Sequence, residues 1–193
     1  MISAIVLAAG ESKRMMQPKM LLPWGETTVL GRVLSVLRSA GVEDVITVTG
    51  GFREQVEAVA QQHGSRVVFN KEFVGNEMLS SIQCGLREMK AEAEAALICL
   101  GDQPQVQERS VRMVRERFVN GKSRLVVPSY QMRRGHPWLV SRPLWEEILM
   151  MKSPQSPRDF MNAHAHEITY VDVDNPSILQ DLDTPEDYLK FKP

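Results

Sequence analysis

The residues best suited to chemistry stand in a loop near the start of the chain. The apolar run Ile5-Val-Leu7 passes into the small residues Ala8, Ala9 and Gly10. Ser12, Lys13, Arg14 and Lys19 follow shortly after. Small residues let the backbone approach a ligand closely, and exposed N–H groups beside basic side chains neutralise phosphate oxygens. The chemistry expected of this loop is polyphosphate binding, and therefore nucleotide binding. Two more groups follow apolar runs in the same way: Asn70 after Arg66 to Phe69, and Gly101-Asp-Gln-Pro104 after Ala95 to Leu100. If those runs are parallel strands, their carboxyl ends gather in one place, where ligands of open α/β sheets bind. Arg14 and Lys19 would then face Asp102. Cations beside a carboxylate at a phosphate cradle predict a magnesium–nucleotide site, because magnesium prefers oxygen ligands and bridges one or two carboxylates to phosphates.

The elements that must position these groups alternate along the chain. Strand patterns are expected at Ser3 to Leu7, Val45 to Thr49, Arg66 to Phe69, Ala95 to Leu100 and Arg124 to Val127. Helical spacing marks Thr28 to Ser39, Arg53 to Gln62, Leu79 to Met89 and Arg109 to Val119. This alternation predicts a three-layer α/β/α fold around a mainly parallel sheet. After Pro128 the pattern changes, with Ser129 to Pro137 a turn that feeds an antiparallel strand near residues 136–141. Short helices at Leu144 to Met150 and Arg158 to Ala163 flank the Pro-rich linker Ser153 to Pro157. A late strand at Ile168 to Val173 and a helix capped by Thr184, with Pro185 at its first position, complete a single domain over residues 1–193.

Two common nucleotide signatures are missing from the first loop. There is no G-x-x-x-x-G-K-[ST], which argues against a P-loop enzyme, and no G-x-G-x-x-G, which argues against a dinucleotide-dependent dehydrogenase. The segment Leu7-Ala-Ala-Gly-x-Ser-x-Arg-Met15, with Pro18-Lys19 and Leu21-Leu-Pro23, instead resembles the signature of nucleotidyltransferases of the molybdenum cofactor cytidylyltransferase type. Leu79-Ser-Ser-Ile-Gln-Cys-Gly-Leu86, Gly101 to Pro104, Arg134-Gly-His-Pro137 and Asp181 to Tyr188 are similar to further motifs of that family, in order and position.

The resemblance implies a Rossmann-like nucleotidyltransferase fold and transfer of CMP from CTP to a molybdopterin-type cofactor, with release of pyrophosphate. It implies a nucleotide pocket of Leu7, Ala8, Ala9, Gly10, Ser12, Arg14, Lys19, Asn70, Ser80, Ser81, Gly85 and Gly101. Arg14, Lys19 and Asp102 would carry catalysis, and Asp102 with Asp183, or else Asp181, would bind Mg2+. Arg134, Gly135 and His136, helped by Arg133, would face the acceptor. Related chains with Ala-Ala-Gly in the first motif use CTP, whereas guanylyl-transferring ones resemble Leu-Ala-Gly-Gly, so Ala9 points to cytosine and Ser81 to a hydroxyl contact with the base. Transient contact with a molybdenum hydroxylase or its maturation factors is implied, as is a monomer or weak dimer. Two positions depart from the pattern: Glu77 precedes Met78 where relatives carry Gly, and Met16 stands where Gly commonly follows Met.

Other readings of the same residues stay open. Asp102 suits a helix cap or an Asx-turn, Asp181 and Asp183 suit a helix start, and Ser80 and Ser81 suit an N-cap pair. His136 suits a turn fixed by Pro137. His164 and His166, two apart, do not share a helix face and are expected on the surface rather than as a zinc pair. An acceptor such as a sugar or polyol phosphate is an alternative, and so is a non-catalytic protein of molybdenum cofactor maturation.

Composition narrows the rest. A formal charge of −1 over 193 residues gives no general attraction to nucleic acid or to an anionic membrane surface. No apolar run is long enough to span a bilayer, and no signal peptide is visible. Cys84 and Cys99 lack metal-site spacing, so buried free thiols in a reducing cytoplasm are expected.

Overall fold

Burial along the first strand sets the architecture. The computed structural model describes residues 1–74, 78–121 and 123–193; Gly75, Asn76 and the departing Glu77 lie outside the described residues, as does Lys122. The strands run in chain order as β1 (Ile2–Ala8), β2 (Pro23–Trp24), β3 (Thr27–Thr28), β4 (Asp44–Thr49), β5 (Arg66–Phe69), β6 (Ala95–Leu100), β7 (Leu125–Tyr130), β8 (Arg133–Arg134), β9 (Trp138–Ser141) and β10 (Ile168–Asp172). In β1, Ala4, Val6 and Ala8 turn to one apolar cluster, while Ile5 and Leu7 turn to another. Side chains alternate across a strand, so a strand covered on both faces becomes an unbroken apolar run.

The helices fill those two faces. Those of the first layer are α1 (Val29–Ser39), α2 (Arg53–Gln62) and α4 (Glu108–Val119), with Leu30, Val56 and Val111 among the side chains packed beside Val6. The opposite layer holds α3 (Met78–Arg87), α5 (Trp145–Met150) and α6 (Pro157–Ala163), with Ile82, Ile148 and Phe160 beside Ile5. Fully buried Ile5, Leu30, Ile82 and Leu97 each contribute about 1.5–3 kcal/mol through removal from water. The expected three-layer α/β/α fold is present.

The main sheet has the order β10-β7-β9-β6-β1-β4-β5, with β8 paired to β7. Strands β6, β1, β4 and β5 are mutually parallel, and β10 is parallel to β7. Strand β9 is antiparallel to both neighbours, β6 and β7, as the pattern around residues 136–141 predicts. Strand β7 corrects the expected end at Val127. It runs through Pro128 to Tyr130 and folds back onto β8, so part of the predicted turn is a hairpin. Gln131 and Met132 make that turn with φ 48° and 64°. The small β2–β3 hairpin, absent from the sequence reading, leads into α1, whose Thr28 cap accepts from Gly31 N–H. Among the described residues no helix is long and apolar enough to cross a membrane.

Candidate active site

Three strand ends build the loop that follows β1. The β4 end reaches it through Gly51 N–H, which donates to the Ala9 carbonyl at 3.0 Å, and the β6 end through Gly101 N–H, which donates to the Leu7 carbonyl at 3.0 Å. Gly50 must lack a side chain, because a Cβ there would stand 2.5 Å from the Ala9 carbonyl oxygen and 2.6 Å from Phe73 Cβ. Past Gly10 the chain turns left-handed at Ser12 (φ 53°) and at Met16 (φ 54°) around a single 3-10 turn, Lys13–Met15. Ser12 Oγ accepts from Lys19 N–H at 3.1 Å, so it closes the loop and sets Lys19 at its far end.

Lys19 points at two carboxylates. Its Nζ donates to Asp102 Oδ2 and, at 3.4 Å, to Asp183 Oδ1. The Lys19 and Asp102 side chains are 13% and 14% exposed, against 45% for Asp183. Burial pulls the Lys19 ammonium down, but Asp102 and Asp183 outweigh it and its pKa ends above the usual lysine value. Arg14 corrects the sequence expectation: its guanidinium donates to Asp183 at 3.0 Å rather than facing Asp102, and it is largely exposed. The reason is reach, since the left-handed turn at Ser12 sends Arg14 toward the rim and Lys19 toward the floor.

The second carboxylate pair comes from the far end of the chain. Leu182 is fully buried in a cluster with Met15, Leu22, Trp24 and Val29, and its N–H donates to the Asp102 carbonyl at 3.1 Å. With Leu182 locked inward, Asp181 and Asp183 on either side both line the cavity. Helix α7 (Pro185–Phe191) secures this segment with a capping box in which the Asp187 carboxylate accepts from the N–H of both Asp183 and Thr184. Gln103 donates to Asp181 at 2.5 Å. Burial, and after it the Asp102 charge, raises the Asp181 pKa above the usual carboxylate value.

These groups enclose a cavity of about 270 Å³. Of the expected nucleotide residues, Leu7, Ala9, Gly10, Ser12, Arg14, Lys19 and Ser81 line it, together with Asp102. Ala8 is buried under the first helix layer. Asn70 and Ser80 stand behind the wall, where Asn70 Nδ2 donates to Ser80 Oγ at 2.9 Å and to Ser81 Oγ at 3.1 Å. Gly101 is at the β6 end beside Leu100 and Asp102. Gly85 stands apart at the contact of α3 with β1, where a Cβ would meet Ile5 Cγ2 at 2.5 Å. Ser80 and Ser81 lie within α3 rather than capping it. Phe73, and Leu100 at the end of β6, also line the cavity; the sequence reading missed them because an apolar residue carries no chemical signal of its own.

A second cavity of about 900 Å³ adjoins the first, and Met78 lines both. It collects the expected acceptor residues Arg134, Gly135 and His136, and adds Trp138 and Arg158. Burial holds the His136 imidazole down to about 4, so it is neutral near pH 7. Elsewhere the surface expectation for His164 fails: it is 12% exposed, clamped at 2.9 Å by Glu147 and 2.8 Å by Glu167, with Phe160 against its ring. His166 is exposed as expected. Cys99 is buried and Cys84 partly so, both as free thiols.

Residues 4–168 match the model of the MobA-like NTP transferase domain family. The chain belongs to this family. It is 26% identical over 193 residues to the molybdenum cofactor cytidylyltransferase of Escherichia coli K12, covering 99% of this chain and 95% of that one. It is 27% identical over 195 residues to nicotine blue oxidoreductase of Paenarthrobacter nicotinovorans, covering 96% and 93%. The crystal structure of Rv0371c from Mycobacterium tuberculosis H37Rv superposes with a TM-score of 0.85 at 32% identity, covering 98% of this chain and 96% of that one. A manganese complex of the same protein superposes at 0.81. The family is one of NTP transferases, and the nucleotide and acceptor are left to be argued from the site.

Proposed function

We propose that this chain transfers CMP from CTP to a molybdopterin-type cofactor and releases pyrophosphate. The observation that carries the reading is Lys19 held between Asp102 and Asp183 on the floor of a cavity whose rim is the Gly10–Arg14 loop. A cation and hard oxygen ligands at the carboxyl ends of parallel strands suit a polyphosphate. The larger cavity, adjoining at Met78, suits the acceptor.

In this mechanism an oxygen of the acceptor phosphate attacks the α-phosphorus of CTP. The new P–O bond forms as the bond to the β-phosphate oxygen breaks, and pyrophosphate leaves with that electron pair. The attacking phosphate is already ionised, so no general base is needed, and catalysis is alignment and charge neutralisation. Lys19 stabilises charge on the α-phosphate, Arg14 draws the outer phosphates to the rim, and Ser81, its Oγ already accepting from Asn70, offers its proton to the base.

Asp102 and Asp183 fit a divalent cation, because both reach one ammonium position and offer carboxylate oxygens. Among the described residues no three His, Cys, Asp or Glu form a cage, which suits magnesium shared between protein and phosphates. Bound there, magnesium would neutralise phosphate charge that Lys19 alone cannot.

The test is pyrophosphate release by the full chain with each nucleoside triphosphate, magnesium and molybdenum cofactor. CTP-dependent release, lost in Asp102→Ala, is expected. No release with any triphosphate, with cofactor binding indifferent to Asp102→Ala, leaves a non-catalytic maturation role. Equal use of GTP overturns the cytosine assignment, and release driven by a sugar or polyol phosphate overturns the acceptor. A location in the cytoplasm and delivery to a molybdenum hydroxylase are parts of the same proposal.

A further inference from the structure

The smaller cavity has two kinds of wall. Lys13, Arg14, Lys19, Asp102, Asp181 and Asp183 bring its charge, from the loop after β1, the end of β6 and the segment before α7. From the stretch between β5 and β6 come Phe73, Met78 and Ser81, among the described residues an aromatic ring, a thioether and one hydroxyl. Phosphates suit the first wall. A base suits the second, where apolar surface carries a single polar group. What a base meets there depends on which way the Ser81 hydroxyl is polarised.

Asn70 sets that polarity from behind the wall. It follows β5, is 4% exposed, and its side-chain amide is held at both ends. Oδ1 accepts from Glu72 N–H at 3.0 Å. A backbone N–H only donates, so the atom facing it must be the amide oxygen, and the amide nitrogen must face the other way. There Nδ2 donates to Ser80 Oγ at 2.9 Å and to Ser81 Oγ at 3.1 Å. An amide NH2 group has two protons to give and accepts nothing. Ser81 Oγ is therefore an acceptor toward Asn70, and its own proton has to be given elsewhere. Because Ser81 lines the cavity, a ligand seated there meets a hydroxyl that has a bond left to donate. An unanchored serine would donate or accept as its partner required.

We propose that Asn70 is a positioning residue that fixes Ser81 as a hydrogen-bond donor toward the nucleobase, so that the site selects a base with an acceptor at the contacted position. Cytosine N3 is such an acceptor, whereas uracil carries N3–H there. The inference rests on the reading of this cavity as the nucleotide site and deepens it. Asn70 touches no nucleotide and acts through Ser81 alone.

The experiment is calorimetric titration of the full chain with CTP and with UTP, in magnesium at about pH 8.5. The wild-type chain binds CTP about tenfold more tightly, the effect of one hydrogen bond made against one left unmade. In Asn70→Asp one carboxylate oxygen keeps the Glu72 N–H and the other draws in the Ser81 proton. Ser81 then turns a lone pair to the cavity, and the CTP preference is lost or passes to UTP. Asn70→Ala, which buries no charge, frees the hydroxyl and brings the two affinities within about threefold. Ser81→Ala also removes the preference, and adding Asn70→Asp to it changes the CTP/UTP ratio by less than about twofold, within the error of additivity. A merely structural role for Asn70 weakens both nucleotides alike and leaves their ratio unchanged, which overturns the inference. So does a ratio unchanged in Ser81→Ala, the result expected if the hydroxyl proton stays on the helix backbone. Nucleotide binding with a ratio indifferent to Asn70 refutes this inference alone; absence of binding by any triphosphate refutes the transferase reading on which it rests.

Discussion

Replacing Lys19 by Met removes the charge and keeps most of the volume, so it isolates what the ammonium does between Asp102 and Asp183. The Lys19–Asp102 pair is nearly buried on both sides, and breaking a buried pair by deleting one partner costs about 3–5 kcal/mol. Asp183 is 45% exposed, so water screens its share to under about 1 kcal/mol. Partial exposure of the pair places the total near the low end, about 3 kcal/mol. With a urea dependence of about 2 kcal/mol/M, the unfolding midpoint falls by about 1.5 M. Asp102→Asn alone is also destabilising, but the double variant is less unstable than the sum, with a coupling of about 2 kcal/mol.

The loss also depends on pH. Asp181, whose folded pKa is raised by burial and then by Asp102 and Asp183, is tolerated in its neutral form below the usual Asp pKa and disfavoured as pH rises through its folded value. Removing Lys19 leaves three carboxyls without that cation, so Lys19→Met is closer to wild type in stability at pH 4 than at pH 7. Pyrophosphate release falls by about 10²–10³, the loss typical of one donor at a developing charge. A coupling below about 0.5 kcal/mol, within the error of additivity, or a destabilisation that grows as pH falls, refutes the reasoning.

Arg14→Gln leaves stability within about 0.5 kcal/mol, because its pair with Asp183 is exposed, yet raises KM for the triphosphate about tenfold; steady-state kinetics beside urea unfolding checks both. Gly85→Ala drives a methyl into Ile5 and costs about 1–3 kcal/mol as overpacking, with kcat per folded molecule unchanged because the residue is off the cavity. Met16→Gly relieves a left-handed residue, worth about 1–2 kcal/mol, against about 0.5–1 kcal/mol of added chain entropy. Since Met16 is 94% exposed and packs little, a net gain of about 0.5 kcal/mol in thermal unfolding is expected. In His164, burial lowers the imidazole pKa but the Glu147 and Glu167 carboxylates outweigh it, so the net shift is upward. Its contribution, on the order of 1 kcal/mol, is complete below the unfolded histidine pKa and vanishes as pH rises through the folded value. His164→Gln is therefore destabilising at pH 5.5 and close to neutral at pH 9.

The parts of the fold that were legible are those where local pattern and burial agree. Strand β6 and helix α2 have the expected limits, since a doubly covered strand must be apolar throughout and an amphipathic helix ends at its glycine. Strand β7 was misjudged because Pro128 reads as a stop, whereas its carbonyl accepts from Gly135 N–H and the hairpin to β8 carries the strand onward. His164 was placed on the surface because spacing shows which face a residue occupies, not which carboxylates arrive from α5 and from the start of β10.

The sequence by itself determined the alternation of apolar runs, and with it a parallel sheet whose strand ends gather Gly10, Asn70 and Asp102. It also marked Met16 as a side chain where the motif commonly has glycine, and the structure adds that the residue is left-handed. Only the tertiary structure decided which charges meet. Arg14 pairs with Asp183 and Lys19 with Asp102 because the Ser12 turn and the buried Leu182 fix two distant segments against each other. Arg133 of β8 and Arg158 of α6 line one cavity although they are far apart along the chain. Coulombic and hydrogen-bond energies depend on distances of a few ångströms, and distances between residues far apart along the chain are set by packing rather than by local pattern.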